Sequence, residues 1–238
     1  VKSFEADALL ITAAFKLDMS VIERLPASLK IVATCSVGFD HIDVNAAKAK
    51  RLVVTNTPDV LNAATADLAF LLMLGACRRI GEYDRHVRAG WSRMFGMTEM
   101  LGVDIEGKTL GIIGMGRIGQ ALARRARAFG MNVAYHNRNR LAAELEDGAT
   151  FHASLGEMLP ECDVLSVHAP GGEATRNLIN ENVLAKLPKG AVFVNTSRGT
   201  LVDEDALIQA LQSGHLYAAG LDVFCGEPKI DPRFAELP

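Results

Sequence analysis

The sequence predicts an α/β protein of two lobes, each built on a parallel sheet, and three observations lead there. Short apolar runs of strand length alternate with segments of helical periodicity, an order that needs crossover connections and therefore parallel strands. The alternation occurs twice, once before about residue 62 and again from Thr109, with a long helical pattern between. A glycine-rich segment, Gly114-Met115-Gly116-Arg117-Ile118-Gly119, stands where one of the strands passes into a helix. The expected domains are 1–62 and 63–238, the linking helix opening the second.

In chain order, Ala8-Leu9-Leu10-Ile11 reads as a buried strand and Ser20 to Leu25 as a short helix capped by Ser20. Lys30 to Thr34 is a second strand. Asp43 caps a helix over Val44 to Lys50, and Leu52 to Thr55 is a third strand. Three strands with two crossovers are few for such a sheet, so part of this domain is expected upstream of Val1. Asn62 to Ala89 reads as one long helix, apolar in its first half and charged in its second, and Ser92 to Gly107 as a loop with Trp91 as a packing anchor. Thr109 to Ile113 is then a strand, Arg117 to Phe129 a helix with Ile118, Leu122, Ala126 and Phe129 on its apolar face, and Asn132 to His136 a strand. Gly130 ends that helix. Further strands are expected over Asp163 to His168, Ala191 to Asn195 and Ala218 to Val223.

Composition narrows the function classes. With 238 residues, 49% apolar and 22% charged, and a mean hydropathy of +0.16, the chain can build real cores. A net charge of -3, with 25 Lys and Arg scattered among 28 Asp and Glu, leaves no basic footprint for nucleic acid. The longest apolar run, Leu68 to Cys77, falls short of the roughly 20 residues that cross a bilayer, so no membrane partner is expected. Cys35, Cys77, Cys162 and Cys225 are far apart, with no C-x-x-C pair. They imply neither a metal site nor a disulfide framework, but free, mostly buried thiols in a reducing cytoplasm. Val1 is followed by no charged and apolar leader pattern.

The glycine segment gains its meaning from context. Gly114 permits the tight turn, Gly116 lets a pyrophosphate approach the backbone, and Gly119 lets helix and strand pack closely, while Arg117 and Ile118 open a helix whose N-terminus attracts the anion. A Rossmann dinucleotide-binding domain follows. About 20 residues on, where such domains read the adenine ribose, stand Asn137, Arg138, Asn139 and Arg140. A carboxylate there accepts from a free 2′-hydroxyl and repels a 2′-phosphate; an amide beside two guanidinium groups does the reverse. NADP(H) is therefore the expected cofactor, with NAD(H) as the alternative.

Near the ends of later strands sit Asn195-Thr196-Ser197-Arg198-Gly199 and Gly220-Leu221-Asp222-Val223-Phe224-Cys225-Gly226-Glu227-Pro228, and upstream Val37-Gly38-Phe39-Asp40-His41-Ile42-Asp43. With the glycine segment between, this ordering resembles the D-isomer-specific 2-hydroxyacid dehydrogenases over essentially the whole chain. The arginine-bearing turn looks most like their NADP-dependent glyoxylate and hydroxypyruvate reductase branch. The resemblance implies a flavodoxin-like substrate-binding domain beside the Rossmann domain, incomplete at both chain ends, and a cytoplasmic homodimer associating through the long helix. Its implied substrate is a small 2-keto or 2-hydroxy acid.

Residue by residue, the resemblance implies that Arg198 grips and polarises the substrate, with the backbone amides near Val37 and Gly38 as a carboxylate cradle. Asp222 lies near the nicotinamide carboxamide and Thr65 on the nicotinamide side. His168, Ala169 and Pro170 form the loop under the adenosine, and Thr175, Thr196 and Ser197 are lesser cofactor contacts. Glu227 matches the carboxylate that orients a catalytic histidine. The family carries that histidine in a Pro-His-x-Gly segment some way past the glutamate, and these 238 residues contain no such segment. The expectation is that the chain lacks a complete acid/base pair, with His41 the one histidine placed near substrate. Two other readings stay open: an NAD-dependent member acting on another small acid or oxyanion, and a non-catalytic, dinucleotide-regulated corepressor-like protein.

Overall fold

The structure, a computed structural model, describes residues 5–238. It divides into two compact units, Val1–Leu61 and Asn62–Pro238. In the first unit β1 (Ala8–Ile11), β2 (Ile31–Thr34) and β3 (Val53–Thr55) form a parallel sheet in that order. The crossovers are α1 (Met19–Glu23) and α2 (Val44–Ala49). Ile11, Ile22, Val32, Ala47 and Leu52 close the core beneath them. Asp43 caps α2 by accepting from the Ala46 amide. The cap of α1 is Asp18 and not Ser20: Asp18 Oδ1 accepts from the Val21 amide at 3.0 Å, and the Ser20 hydroxyl donates to the same carboxylate at 2.7 Å. A carboxylate accepts more strongly than a hydroxyl, so the cap lies two residues earlier and the helix begins at Met19.

The second unit opens with α3 (Asn62–Cys77) and α4 (Ile80–Arg88). Six strands follow: β4 (Thr109–Ile113), β5 (Asn132–His136), β6 (Thr150–Phe151), β7 (Val164–Val167), β8 (Ala191–Asn195) and β9 (Leu216–Leu221). Between them run α5 (Arg117–Ala128), α6 (Ala143–Glu146), α7 (Leu155–Met158), α8 (Glu181–Leu184) and α9 (Glu204–Gln212). The sheet is parallel throughout, in the order β6-β5-β4-β7-β8-β9. The chain works outward from β4 to one edge, returns to β7 and works outward to the other. The reversal between β4 and β7 opens the crevice in which such sheets bind ligands, at the C-terminal ends of the strands.

Strand periodicity sets the two faces. Leu110, Ile112, Val164, Val192 and Val194 pack with α3 and α5 residues such as Phe70, Met73, Leu122 and Ala126. Their neighbours Ile113, Leu165, Val167 and Phe193 point the other way, onto Leu184, Leu201, Leu207 and Leu211. Both faces are covered, which is why these strands read as unbroken apolar runs.

The structure departs from the sequence expectations where local chemistry outranks periodicity. The single helix expected over Asn62 to Ala89 is broken in two. Arg79 adopts a φ of 55°, its guanidinium clamped by Glu82 at 2.6 and 2.8 Å, and the Val103 amide takes the Cys77 carbonyl at 2.8 Å. Trp91 is no packing anchor: it is 54% exposed and stacks on Phe95. Phe129 lies past the last turn of α5, 52% exposed, against Phe70. β6 is too short to show a period, and β9 starts two residues earlier than expected, so Asp222 and Val223 leave the sheet and enter the loop after it. Among the thiols Cys35 is exposed, while burial pushes Cys77 and Cys162 up to about 11 and about 12 and makes them unreactive at neutral pH.

Candidate active site

Because the second sheet is parallel, every candidate that follows a strand lies on one of its edges: Gly114 after β4, Asn137 after β5, His168 after β7, Arg198 after β8 and Asp222 after β9. Thr65 is half-buried in the first turn of α3, which packs on α5, β8 and β9.

The three glycines of the loop do different work. Gly114 has a φ of 92°, and a Cβ there would meet the Ala169 amide at 2.7 Å and the His168 carbonyl carbon at 2.8 Å, so the β4 and β7 turns press backbone on backbone. At Gly119 a Cβ would meet the Gly114 carbonyl at 2.8 Å, the close packing of helix on strand. At Gly116 a Cβ would meet nothing within 4 Å. Packing therefore does not require that glycine; it leaves clear the space in front of α5, whose N-cap is Gly116 itself and which no side chain caps. An uncapped helix terminus behind an open cradle is the environment a pyrophosphate needs. Arg117 opens the helix and is exposed; Ile118 is half-buried against the core. A second fit lies at the end of β8, where the buried Thr196 hydroxyl has no partner among the described residues.

The turn after β5 is tied to this loop. Asn137 Oδ1 accepts from the Met115 amide at 2.7 Å, which uses that amide for shape rather than for an anion. Arg138 is exposed and bonds to no described residue, whereas Arg140 is engaged by Glu146. On the β7 side, the His168 amide donates to the Ile113 carbonyl and its Nε2 lies 2.9 Å from the Ser166 hydroxyl. Ala169 is buried and Pro170 exposed. The Thr175 hydroxyl donates to the Pro170 carbonyl at 2.7 Å, so its proton shapes the loop.

Burial pushes His168 down to about 4 from its ordinary 6.5, which makes it neutral in the folded protein at pH 7. The unfolded chain binds the proton more readily, so the associated stability is complete above about 6.5 and drains as pH falls toward 4. His168 alone should cost about 2 kcal/mol between pH 7 and pH 5. Denaturant unfolding at the two pH values checks this, and His168→Asn should flatten the difference.

The Arg198 turn is organised by a residue the sequence reading did not single out for a role. Asn195, 1% exposed, accepts from the Ser197 amide at 3.0 Å and donates to the Arg198 carbonyl at 2.9 Å. Ser197 donates its hydroxyl to the Val167 carbonyl at 2.8 Å, pinning the turn to β7. Gly199 is crossed by the Phe224 and Cys225 backbone, which leaves no room for a Cβ. Arg198 is thus set on a turn fixed from three sides and is half-buried, its Nη1 donating to the Ser197 carbonyl at 2.8 Å. The Asp222 amide donates to the Asn195 carbonyl at 3.0 Å, and its exposed carboxylate accepts no bond from a described residue. A buried asparagine ending an otherwise apolar strand was the available signal for Asn195.

Glu227 is exposed and accepts from the Phe224 amide at 2.7 Å. None of the histidines reaches it among the described contacts. His136 and His215 bond to backbone carbonyls, His152 lies 3.7 Å from Glu161, His86 packs on Phe95, and His168 has Ser166. In the first unit, His41 Nε2 lies 3.0 Å from the Thr34 hydroxyl, itself 2.8 Å from that of Ser36. There Thr57 donates to the Ser36 carbonyl and Asn56 to the Val37 carbonyl. Holding those two peptide planes sets the directions of the Val37 and Gly38 amides. Among the described residues, no group of three or more His, Cys, Asp or Glu is placed to hold a metal ion.

A six-stranded parallel sheet reversing at β4 and β7, with an open glycine-led helix at the reversal, defines a dinucleotide-binding domain of the Rossmann class. Residues 70–238 match the family model described as D-isomer specific 2-hydroxyacid dehydrogenase, NAD binding domain, and the chain belongs to that family. It is 47% identical to a glyoxylate reductase of Aeropyrum pernix, over 95% of this chain and 69% of that one, and 43% identical to a glycerate dehydrogenase of Hyphomicrobium methylovorum, over 98% and 73%. It also superposes, with a TM-score of 0.86 and 38% identity, on the NADPH-dependent glyoxylate/hydroxypyruvate reductase of Sinorhizobium meliloti in complex with NADP and malonate, over 96% of this chain and 70% of that one. The protein is an oxidoreductase whose chemistry is hydride transfer between a nicotinamide dinucleotide and a small 2-keto or 2-hydroxy acid.

Proposed function

We propose that the protein reduces glyoxylate or hydroxypyruvate with NADPH. The observation that supports this best is the turn after β5, which offers Asn137, Arg138, Asn139 and Arg140 and no carboxylate where the adenine ribose is read. The names of the similar proteins point to the same acids. When bound, the nicotinamide supplies the hydride. Gly114, Gly116 and Gly119 with the α5 terminus hold the pyrophosphate, and Arg117, Ile118, Thr65, Thr175, Thr196 and Ser197 line its path. His168, Ala169 and Pro170 would support the adenosine half, and Asp222 would accept from the carboxamide. Arg198, with its planar fork, binds the keto acid and stabilises negative charge on the carbonyl oxygen. Within the first unit, the Val37 and Gly38 amides are proposed as carboxylate donors, their directions set by the Thr57 and Asn56 bonds.

Glu227 is proposed as a positioning residue that would favour the protonated form of a catalytic histidine during reduction. A neighbouring carboxylate raises a histidine pKa, so Glu227→Gln in the full-length gene product should move the alkaline limb of the reduction profile to lower pH, with KM for NADPH unchanged. An unmoved limb leaves Glu227 as the acceptor for the Phe224 amide and nothing more. The second reading, an NAD(H) enzyme, is favoured by one observation: Arg140 is already paired. Both readings are separated by assaying NADPH and NADH against a panel of keto acids, and a corepressor-like protein would bind dinucleotide without turnover.

The protein is further proposed to act in the cytoplasm as a homodimer. Among the described residues no helix is long and apolar enough to cross a membrane, and Leu71, Ile80 and Val87 of the α3–α4 region are more than half exposed.

A further inference from the structure

The turn after β5 is latched at its far end by residues outside it. The Tyr135 hydroxyl accepts from the Leu141 amide at 3.0 Å and donates to Glu146 Oε1 at 2.6 Å. Arg140 reaches the same carboxylate with Nε at 2.8 Å and Nη2 at 3.0 Å, and its guanidinium lies over the Phe151 ring. Tyr135 is fully buried and Glu146 is 8% exposed. Arg140, and after it Tyr135, hold the Glu146 carboxyl at about 2, so it is charged at any working pH. Arg138 has no such partner. The two arginines of the turn are therefore not equivalent.

We infer that Glu146 is a determinant of cofactor selectivity: by neutralising Arg140 it leaves Arg138 as the cation that discriminates a 2′-phosphate from a 2′-hydroxyl. To turn its Nε–Nη2 edge to a phosphate, Arg140 must abandon two charged hydrogen bonds and leave a nearly buried carboxylate to Tyr135 alone, and through Nη1 it meets a phosphate only with its charge already offset by Glu146. The pair thus presents little net charge to the ribose, and selectivity for NADPH is weaker than two free arginines would give. The inference rests on the ribose reading of this turn proposed above.

A double-mutant cycle on the full-length protein, read as Kd for NADPH and for NADH from the fluorescence of the bound reduced nicotinamide, tests it. Glu146→Gln keeps an acceptor for Tyr135 and Arg140 but releases the Arg140 charge, and should tighten NADPH about 3- to 10-fold with NADH unchanged. Arg140→Ala exposes the Glu146 charge and should weaken NADPH by a similar factor. Arg140→Ala with Glu146→Gln removes both charges, and its NADPH-to-NADH ratio should return to within about twofold of the unsubstituted protein. A double variant that loses as much NADPH selectivity as Arg140→Ala would overturn the inference, because Arg140 would then hold the phosphate itself. A latch that only supports the fold would weaken both cofactors alike in every variant, and Glu146→Gln without a selective gain overturns it too. Arg138→Ala separates the two levels: if it leaves the ratio unmoved, the ribose reading of the turn is what has failed.

Discussion

Arg198→Lys in the full-length gene product should lower kcat/KM for the keto acid by about 100- to 1,000-fold, with KM raised and kcat lowered together. Lysine keeps the charge but loses the planar pair of donors that matches a carboxylate or a developing oxyanion. Besides the Arg198 Nη1 bond to the Ser197 carbonyl, the backbone beneath is held by Asn195 on the Ser197 amide and the Arg198 carbonyl and by Ser197 on Val167. The substitution therefore should not disturb the turn, and dinucleotide affinity should stay within about twofold while turnover falls. Steady-state kinetics paired with cofactor titration checks the split. A loss confined to dinucleotide affinity would remove Arg198 from the substrate.

The second large effect is a contrast between neighbouring glycines. Gly114→Ala places a Cβ at positive φ against the His168 and Ala169 backbone, and should cost about 3 kcal/mol or more in stability, because neither β-turn can retreat without breaking the sheet edge. Gly116→Ala meets open space and has a φ of -81°, so stability should change by less than about 1 kcal/mol, as for other substitutions that create no clash. Yet its methyl group intrudes where the pyrophosphate approaches the α5 terminus, and NADPH should bind at least about tenfold more weakly, since several charged hydrogen bonds lengthen together. Denaturant unfolding and cofactor titration on both variants give the comparison. Equal stability losses would mean that Gly116 is held by packing and not kept clear for a ligand.

The parts of the fold legible in the sequence are those governed by period and by strong local signals. Both parallel sheets follow from alternating apolar runs, and Asp43 and Gly130 mark helix ends by short-range chemistry alone. Periodicity failed where a distant partner decided the outcome. The break at Arg79 depends on Val103 taking the Cys77 carbonyl, across a loop of no recognisable pattern. β6 exists because β5 offers it an edge, not because two residues prefer to be extended. At the site, the glycines, Arg198 and Asp222 are visible as motif positions. What orders them is not: Asn195, Asn137 and Glu146 act through side-chain bonds to residues that only the folded chain brings near.

Hydride transfer to a small 2-keto acid, with NADPH preferred, can be followed by reduced nicotinamide absorbance with the full-length gene product, hydroxypyruvate and each cofactor, then resolving the glycerate formed. Oxidation should depend on the keto acid, run faster with NADPH than with NADH at equal concentration, and give D-glycerate as the product. Dinucleotide binding without keto-acid-dependent oxidation, or formation of L-glycerate, would contradict it.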